Sequence, residues 1–493
     1  MGRHASIEDC VEKDATLSTF GVGRADCVSS RSTRAQQICC ALDRNRFVVV
    51  VEDMALGIIL NEAELRESRA RAAKLDDALS SEETLKRVAE GLPPEIVEQL
   101  ARMMKAERTE ILEAIAAYET AKETGEPATL QARAGGDPGL TLIVARIVKG
   151  FSQRDLAWRL GVKEQQIQRY EADRYSAISM RNYSRVAALL GVRLSANIQP
   201  LPQFRGLDAI IEDVSKEQIK KILKHGRENG WFSGEMDEVG LREFIAQNRI
   251  QFGSPSLLRT GLNVKDHSDD VLLQAWRARV TSRARQIIAR GVERFDPIQT
   301  VWLQELRKFS VHNDGPRRAR DLLLERGIVV IVEAQIPGLA IDGAAFLEEG
   351  VPVIGLTLRR DYIDNFWFTL LHEVGHVTLH FRSGLSEGFY DQFEQQPVDE
   401  QEAEADSFAS NLLISERLWQ RSPARIAKSP AIIEKFAKDM GINPAIVFGR
   451  IRKERNDYTL FSQKIGGKTV RQLFAEKPDE ESSDAALSPG PEI

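Results

Sequence analysis

"LLHEVGHVTLH" spans residues 370–380 and holds three of the chain's seven histidines. His372 and His376 are four apart. On an α-helix that is a rotation of about 40°, so both rings leave one face, one turn apart, and can hold one ion. Glu373 lies about 100° round from His372. It does not share the ion in the same way, but it reaches a water held there. His-Glu-x-x-His on a helix is the zinc-peptidase spacing, with the glutamate as general base. Zinc also needs a third protein ligand and an open position.

The stretch "VDEQEAEADSFASNLLI", residues 398–414, offers that ligand. Glu402 and Asp406 are one helical turn apart, and Phe408, Leu412 and Leu413 mark the buried face. Glu402 completes a two-histidine, one-glutamate set. Asp406 then accepts a hydrogen bond from the far nitrogen of a ligand histidine and fixes its tautomer. Glu404 competes with Glu402, but the two are about 200° apart, so at most one faces the metal. His380 lies about 6 Å further along the first helix. No glycine breaks the helix before it, so it is expected outside the ligand set. It reads as a structural or surface histidine, or as a contact to substrate. Tyr390 is a second candidate for contacting substrate or the developing oxyanion.

A different pattern lies upstream: "SQRDLAWRLGVKEQQIQRYE", residues 152–171. Ser152 caps a helix with Asp155 as its partner three residues on. Leu156, Ala157 and Leu160 form an apolar face, and Gly161 ends the helix. Val162 and Ile167 supply the buried side of the next helix. Glu164, Gln165, Gln168 and Arg169 are left pointing outward. This is a helix-turn-helix pattern, with the second helix suited to the major groove. Gln reads adenine and Arg reads guanine, while Gln153, at the first helix's start, is placed for a phosphate. From Gly136 to Pro200 ten Lys and Arg stand against five Asp and Glu, although the whole chain carries −6. A local basic island on an acidic chain fits double-stranded DNA.

At 493 residues, with 42% hydrophobic and 28% charged, the chain is expected to hold several domains. No apolar run approaches a membrane span, and a cytoplasmic protein is expected. All four cysteines fall within the first forty residues, so no disulfide or cysteine-zinc framework serves the rest. Residues 1–53 are either a poorly ordered extension or lie upstream of a native start at Met54. Residues 54–135 read as a helical hairpin arm. Ile96, Leu100, Met104, Ile111, Ile115 and Tyr118 recur at near-heptad spacing, which leaves packing on itself and homodimerisation both open. Residues 121–139 read as a linker rich in Gly, Pro and Thr. The helix-turn-helix domain is placed at 136–198 and a helical connecting region, irregular at "FGSPSLLRTGL", at 199–325. Residues 326–474 follow as an α+β domain with a hairpin turning at Glu349-Gly350, and 475–493 as a disordered acidic tail. Asn443 and Pro444 begin a helix in a second basic island, which either closes the α+β domain or touches DNA.

Two resemblances sharpen this. Leu140 to about Leu194 resembles the Cro-like, xenobiotic-response-element helix-turn-helix family through "SQRDLA", "GV" and "QRYE". Gly327 to about Phe474 resembles the ImmA/IrrE metallopeptidase family. Its carriers are "LTLRRDYIDNFWFTLLHEVGHVTLH", "EAEADSFASNLLI" and "GINPAIVFGRIRKE". The order of parts looks like fused HigA-type antitoxin regulators. The resemblance implies a multidomain, mainly α protein: an all-α helix-turn-helix domain plus a small α+β zincin-like metallopeptidase domain. It implies a Zn2+-dependent regulatory endopeptidase that binds an operator and acts on a repressor, a cognate toxin or itself. The alternative is a non-catalytic repressor or antitoxin whose zinc pocket senses a ligand or peptide.

Overall fold

The computed structural model describes residues 57–193, 216–232, 234–248, 257–260, 271–381, 385, 398–467 and 469–474. Residues 1–53, Tyr390 and the tail 475–493 lie outside them. The N-terminal helices are α1 (Glu62–Leu79), α2 (Glu82–Val88), α3 (Pro94–Thr124) and α4 (Ala128–Arg133). Next come α5 (Pro138–Val148), α6 (Gln153–Leu160), α7 (Glu164–Ala172) and α8 (Met180–Leu190). The central part holds α9 (Lys216–Glu228), α10 (Glu238–Gln247), β1 (Leu257–Thr260), α11 (Val271–Ile288), α12 (Trp302–Lys308) and α13 (Gly315–Glu325). It is followed by β2 (Val329–Val332), β3 (Ile341–Glu348), β4 (Val351–Leu356), α14 (Ile363–Leu379) and α15 (Val398–Leu413). The chain closes with α16 (Glu416–Gln420), α17 (Pro423–Ile426), α18 (Pro430–Met440), α19 (Pro444–Glu454) and α20 (Val470–Phe474). The protein is mainly α with one small sheet. Among the described residues no helix is long and apolar enough to cross a membrane.

Local chemistry explains the first helices. Asn61 caps α1 by accepting from the backbone N–H groups of Ala63 and Glu64. Pro94 sits at the first position of the 31-residue α3, and Gly125 ends it in the left-handed region. The apolar stripe of α3 packs inside the chain. Ile96, Leu100 and Met104 are fully buried, and Ile111 and Tyr118 nearly so. The stripe that suggested homodimerisation is therefore already covered. α1 packs along α3, α15 meets it where Gln99 donates to the Glu404 carbonyl, and α4 meets it where Arg133 pairs with Glu110 and Glu113. Arg71 of α1 donates to both carboxylate oxygens of Glu107 on α3, at 2.7 and 3.1 Å, and to Asp296 at 2.9 Å.

The helix-turn-helix forms as its sequence dictates. Ser152 and Asp155 make a full capping box, and Gly161 ends α6 with φ 69°. Ile167 is buried under α7. Arg146 of α5 holds Glu171 of α7 at 2.5 and 2.8 Å, inside the protein. Gly139 explains the turn after α7: a Cβ there would lie 1.8 Å from the Arg174 carbonyl oxygen.

Three expectations change. Residues 121–139 are not a plain linker, because 128–133 form α4 and Leu130 is fully buried. One hydrophobic side chain pinned between packed helices outweighs the local Gly and Pro content. The expected irregular stretch contains β1, and β1 joins the sheet, whose order is β1-β3-β4-β2. β1 and β3 are antiparallel, β3 and β4 form an antiparallel hairpin, and β2 and β4 are parallel. Residues 199–325 also supply α11, which covers one face of this sheet. Its Trp276 lies so close to Gly355 of β4 that a Cβ there would meet the indole at 2.7 Å. The turn between β3 and β4 uses Glu349 and Gly350, with φ 51° and 75°, as expected for a tight hairpin. α14 covers the opposite face.

Leu130→Ala tests the reassignment of the linker. A true linker residue would tolerate it, whereas a fully buried leucine costs about 2–5 kcal/mol. Chemical denaturation of the two chains measures the difference.

Candidate metal centre

Two helices build the site. α14 is buried along its whole C-terminal half, from Leu370 to Leu379, so His372, Glu373 and His376 all lie inside the protein. α15 brings Ala405 and Phe408, both fully buried, onto it. Gly375 makes the approach close: a Cβ there would lie 3.1 Å from the Phe408 ring and 3.3 Å from the Cα of Ala405.

The expected ligands meet. His372 Nε2 and His376 Nε2 are 3.0 Å apart. Glu402 Oε2 is 3.2 Å from His372 Nε2, and Glu402 Oε1 is 3.4 Å from His376 Nε2. Bonds of the usual zinc length in a tetrahedron place neighbouring donors about 3.3 Å apart. The three side chains thus converge at the separation one divalent ion requires. Asp406 Oδ1 is 2.9 Å from His372 Nδ1. With a carboxylate there, His372 carries its proton on Nδ1 and turns the Nε2 lone pair toward Glu402. Lys453 of α19 stands 3.6 Å from the other oxygen of Asp406.

The electrostatics agree. Burial holds His376 down to about 4, against the raising effect of Glu402, so the ring is neutral at pH 7. Burial works to raise Glu402, but the two imidazoles facing it prevail and hold it at about 2. A neutral imidazole and an ionised carboxylate are the forms a metal ligand needs. The donor set fits a divalent cation.

Glu373, next to His372 in the chain, is fully buried, with its carboxylate against the backbone of β3. A Cβ on Gly343 would come within 2.5 Å of Glu373 Oε1. Sequence reasoning missed Gly343. The signal was a glycine inside a strand, which marks close approach of another group.

His380 stands outside the ligand triangle, as expected, at the end of α14. It is the C-cap of α14 and only 2% exposed, so it is not a surface residue. Its Nδ1 lies 3.2 Å from His376 Nδ1, and its Nε2 lies 3.0 Å from Glu404 Oε2. Both ring nitrogens are thus engaged within the protein, which leaves neither for the expected substrate contact. Glu404, the competing ligand, faces His380 and not the ligand triangle.

On the helix-turn-helix, Glu164, Gln165, Gln168 and Arg169 are exposed on α7. Gln153 departs from expectation. Its amide donates to Glu171 Oε2 at 2.8 Å, joining the buried Arg146 pair, so it supports the fold where a phosphate contact was expected.

Residues 145–196 match the family model described as helix-turn-helix. Residues 325–439 match the one described as IrrE N-terminal-like domain. No curated protein matches the chain, and no solved structure does. The chain therefore joins an XRE-type helix-turn-helix of the DNA-binding kind to an IrrE-like, metallopeptidase-like domain.

Asp406→Ala removes the carboxylate that orients His372. Divalent-metal affinity is expected to fall about 10- to 100-fold, as read by chelator competition.

Proposed function

We propose that this protein is a DNA-bound regulator whose zinc-dependent peptidase site cuts a protein partner or the chain itself. The observation that carries this reading is the His372–His376–Glu402 triangle with a buried glutamate, Glu373, next to His372 in the chain, on a protein that also exposes Gln165, Gln168 and Arg169 on α7. Zinc is the ion favoured by two imidazoles and one carboxylate. When bound, it supplies Lewis acidity, polarising a peptide carbonyl and acidifying water.

The chain's own residues supply the rest. Glu373 takes the proton from the attacking water and returns it to the leaving amine. Burial against the β3 backbone at Gly343 keeps bulk water from the carboxylate and fixes it. Asp406 holds His372 in its ligand tautomer. On α7, Gln165, Gln168 and Arg169 read base edges in an operator, with Glu164 at the same exposed face.

Glu373→Gln keeps the size and hydrogen-bonding shape of the side chain but removes the base. It is expected to lower cleavage of the partner about 10²–10⁴-fold and to leave zinc and DNA binding intact. Proteomics of a strain carrying this variant identifies the uncut substrate. Regulation that continues unchanged in that strain would refute the peptidase reading. The double variant Gln165→Ala with Arg169→Ala tests the other half. Each lost bidentate contact costs about 1–3 kcal/mol of discrimination, so operator affinity in a mobility-shift assay drops at least tenfold.

A further inference from the structure

We propose that His380 and Glu404 are positioning residues of the metal centre: together they fix the tautomer and the ring orientation of His376. The inference rests on the metal reading above and concerns the one ligand histidine that Asp406 does not reach.

The hydrogen-bond directions follow from the carboxylate. Glu404 Oε2 is an acceptor, so His380 Nε2, 3.0 Å away, donates to it. With one ring proton, and that proton on Nε2, His380 has a lone pair on Nδ1. In this arrangement His380 Nδ1 accepts, and its neighbour at 3.2 Å, His376 Nδ1, donates. His376 is left with a lone pair on Nε2, the atom that faces His372 and Glu402. The reverse order would turn a His380 lone pair onto the Glu404 carboxylate and point a His376 N–H at the ligand triangle. Burial of both rings removes water as an alternative partner.

The two ligand histidines are thus oriented by different means. His372 donates directly to Asp406, whereas His376 is oriented through an intervening imidazole. Backbone contacts hold that imidazole in place. His380 N–H donates to the His376 carbonyl at 2.9 Å, and Leu385 N–H donates to the His380 carbonyl at 2.9 Å. Gln99 of α3 donates to the Glu404 carbonyl at 3.2 Å, which pins the turn of α15 that carries Glu404.

The test uses the full chain, with zinc affinity from chelator competition and histidine 15N spectra of the metal-free protein. His380→Phe keeps a buried ring but removes both nitrogens. Zinc affinity is expected to fall about 10- to 100-fold while the thermal midpoint of the metal-free chain stays near that of the parent. His380→Gln offers a carbonyl oxygen to His376 and is expected to recover part of the loss. Glu404→Gln, at a more exposed position, is expected to weaken zinc in the same direction. In the parent chain the spectra should show His376 protonated on Nδ1, and in His380→Phe a mixture of tautomers. Parent-like zinc affinity in His380→Phe would overturn the proposal, as would a parent His376 protonated on Nε2. Should the parent bind no divalent ion, the metal reading fails by itself, and the tautomer spectra still decide the role of His380.

Discussion

The constraint on which the site depends is the contact of Gly375 with α15. A glycine in the middle of a helix is costly, by roughly 1 kcal/mol relative to alanine. Here it lets the Cα of Ala405 and the ring of Phe408 approach a bare backbone. That approach brings His372 and His376 on one helix level with Glu402 and Asp406 on the other. Both pairs repeat at one turn, so a shift of one helix against the other would separate every partner at once. The same device recurs at Gly343, which makes room for Glu373, and at Gly355, which makes room for Trp276. Three glycines thus set the spacing between the sheet and the helices on its two faces, and between the two helices of the site.

The N-terminal helices are held by a different kind of contact. Arg71 with Glu107 and Asp296, and Arg146 with Glu171, are ion pairs in largely buried positions. Such pairs return little net stability over a well-packed apolar alternative, because both charges lose water. They do penalise misplacement. If α1 slid along α3, or α5 along α7, a guanidinium would be buried without its carboxylate. Directional contacts of this sort suit a chain in which several amphipathic helices could otherwise pack in more than one register.

Much of the site was legible because helical spacing is local. The four-residue steps from His372 to His376 and from Glu402 to Asp406 needed only helix geometry. The Ser152 capping box, Gly161 and the Glu349-Gly350 turn were readable for the same reason: each is a short-range rule written in a few adjacent residues. What escaped depended on distant partners. The pairing of β1 with β3 links Leu257 to Ala345, and nothing within "FGSPSLLRTGL" announces it. Leu130 is a single apolar residue in a Gly- and Pro-rich stretch, and its burial is decided by helices outside that stretch. His380 was judged along its own helix, where it is one turn past the ligands. Its actual partner, Glu404, lies on the second helix and on the side of it turned away from Glu402. Gln153 was read for its place at a helix start, while the buried arginine that recruits Glu171, and through it Gln153, comes from a third helix.

α3 has a consequence for how the two halves of the protein would work together. Its 31 residues make a rod about 46 Å long, which meets α15 at Gln99 and α4 at Glu110 and Glu113. A flexible tether gives a spread of distances, and so an averaged effective concentration of one module near the other. A packed helix gives a single distance and a single angle. A partner bound beside the helix-turn-helix would then be either within reach of the half that carries the His372–His376–Glu402 triangle or permanently out of reach. Selectivity among partners would come from geometry before any side chain of the partner is read.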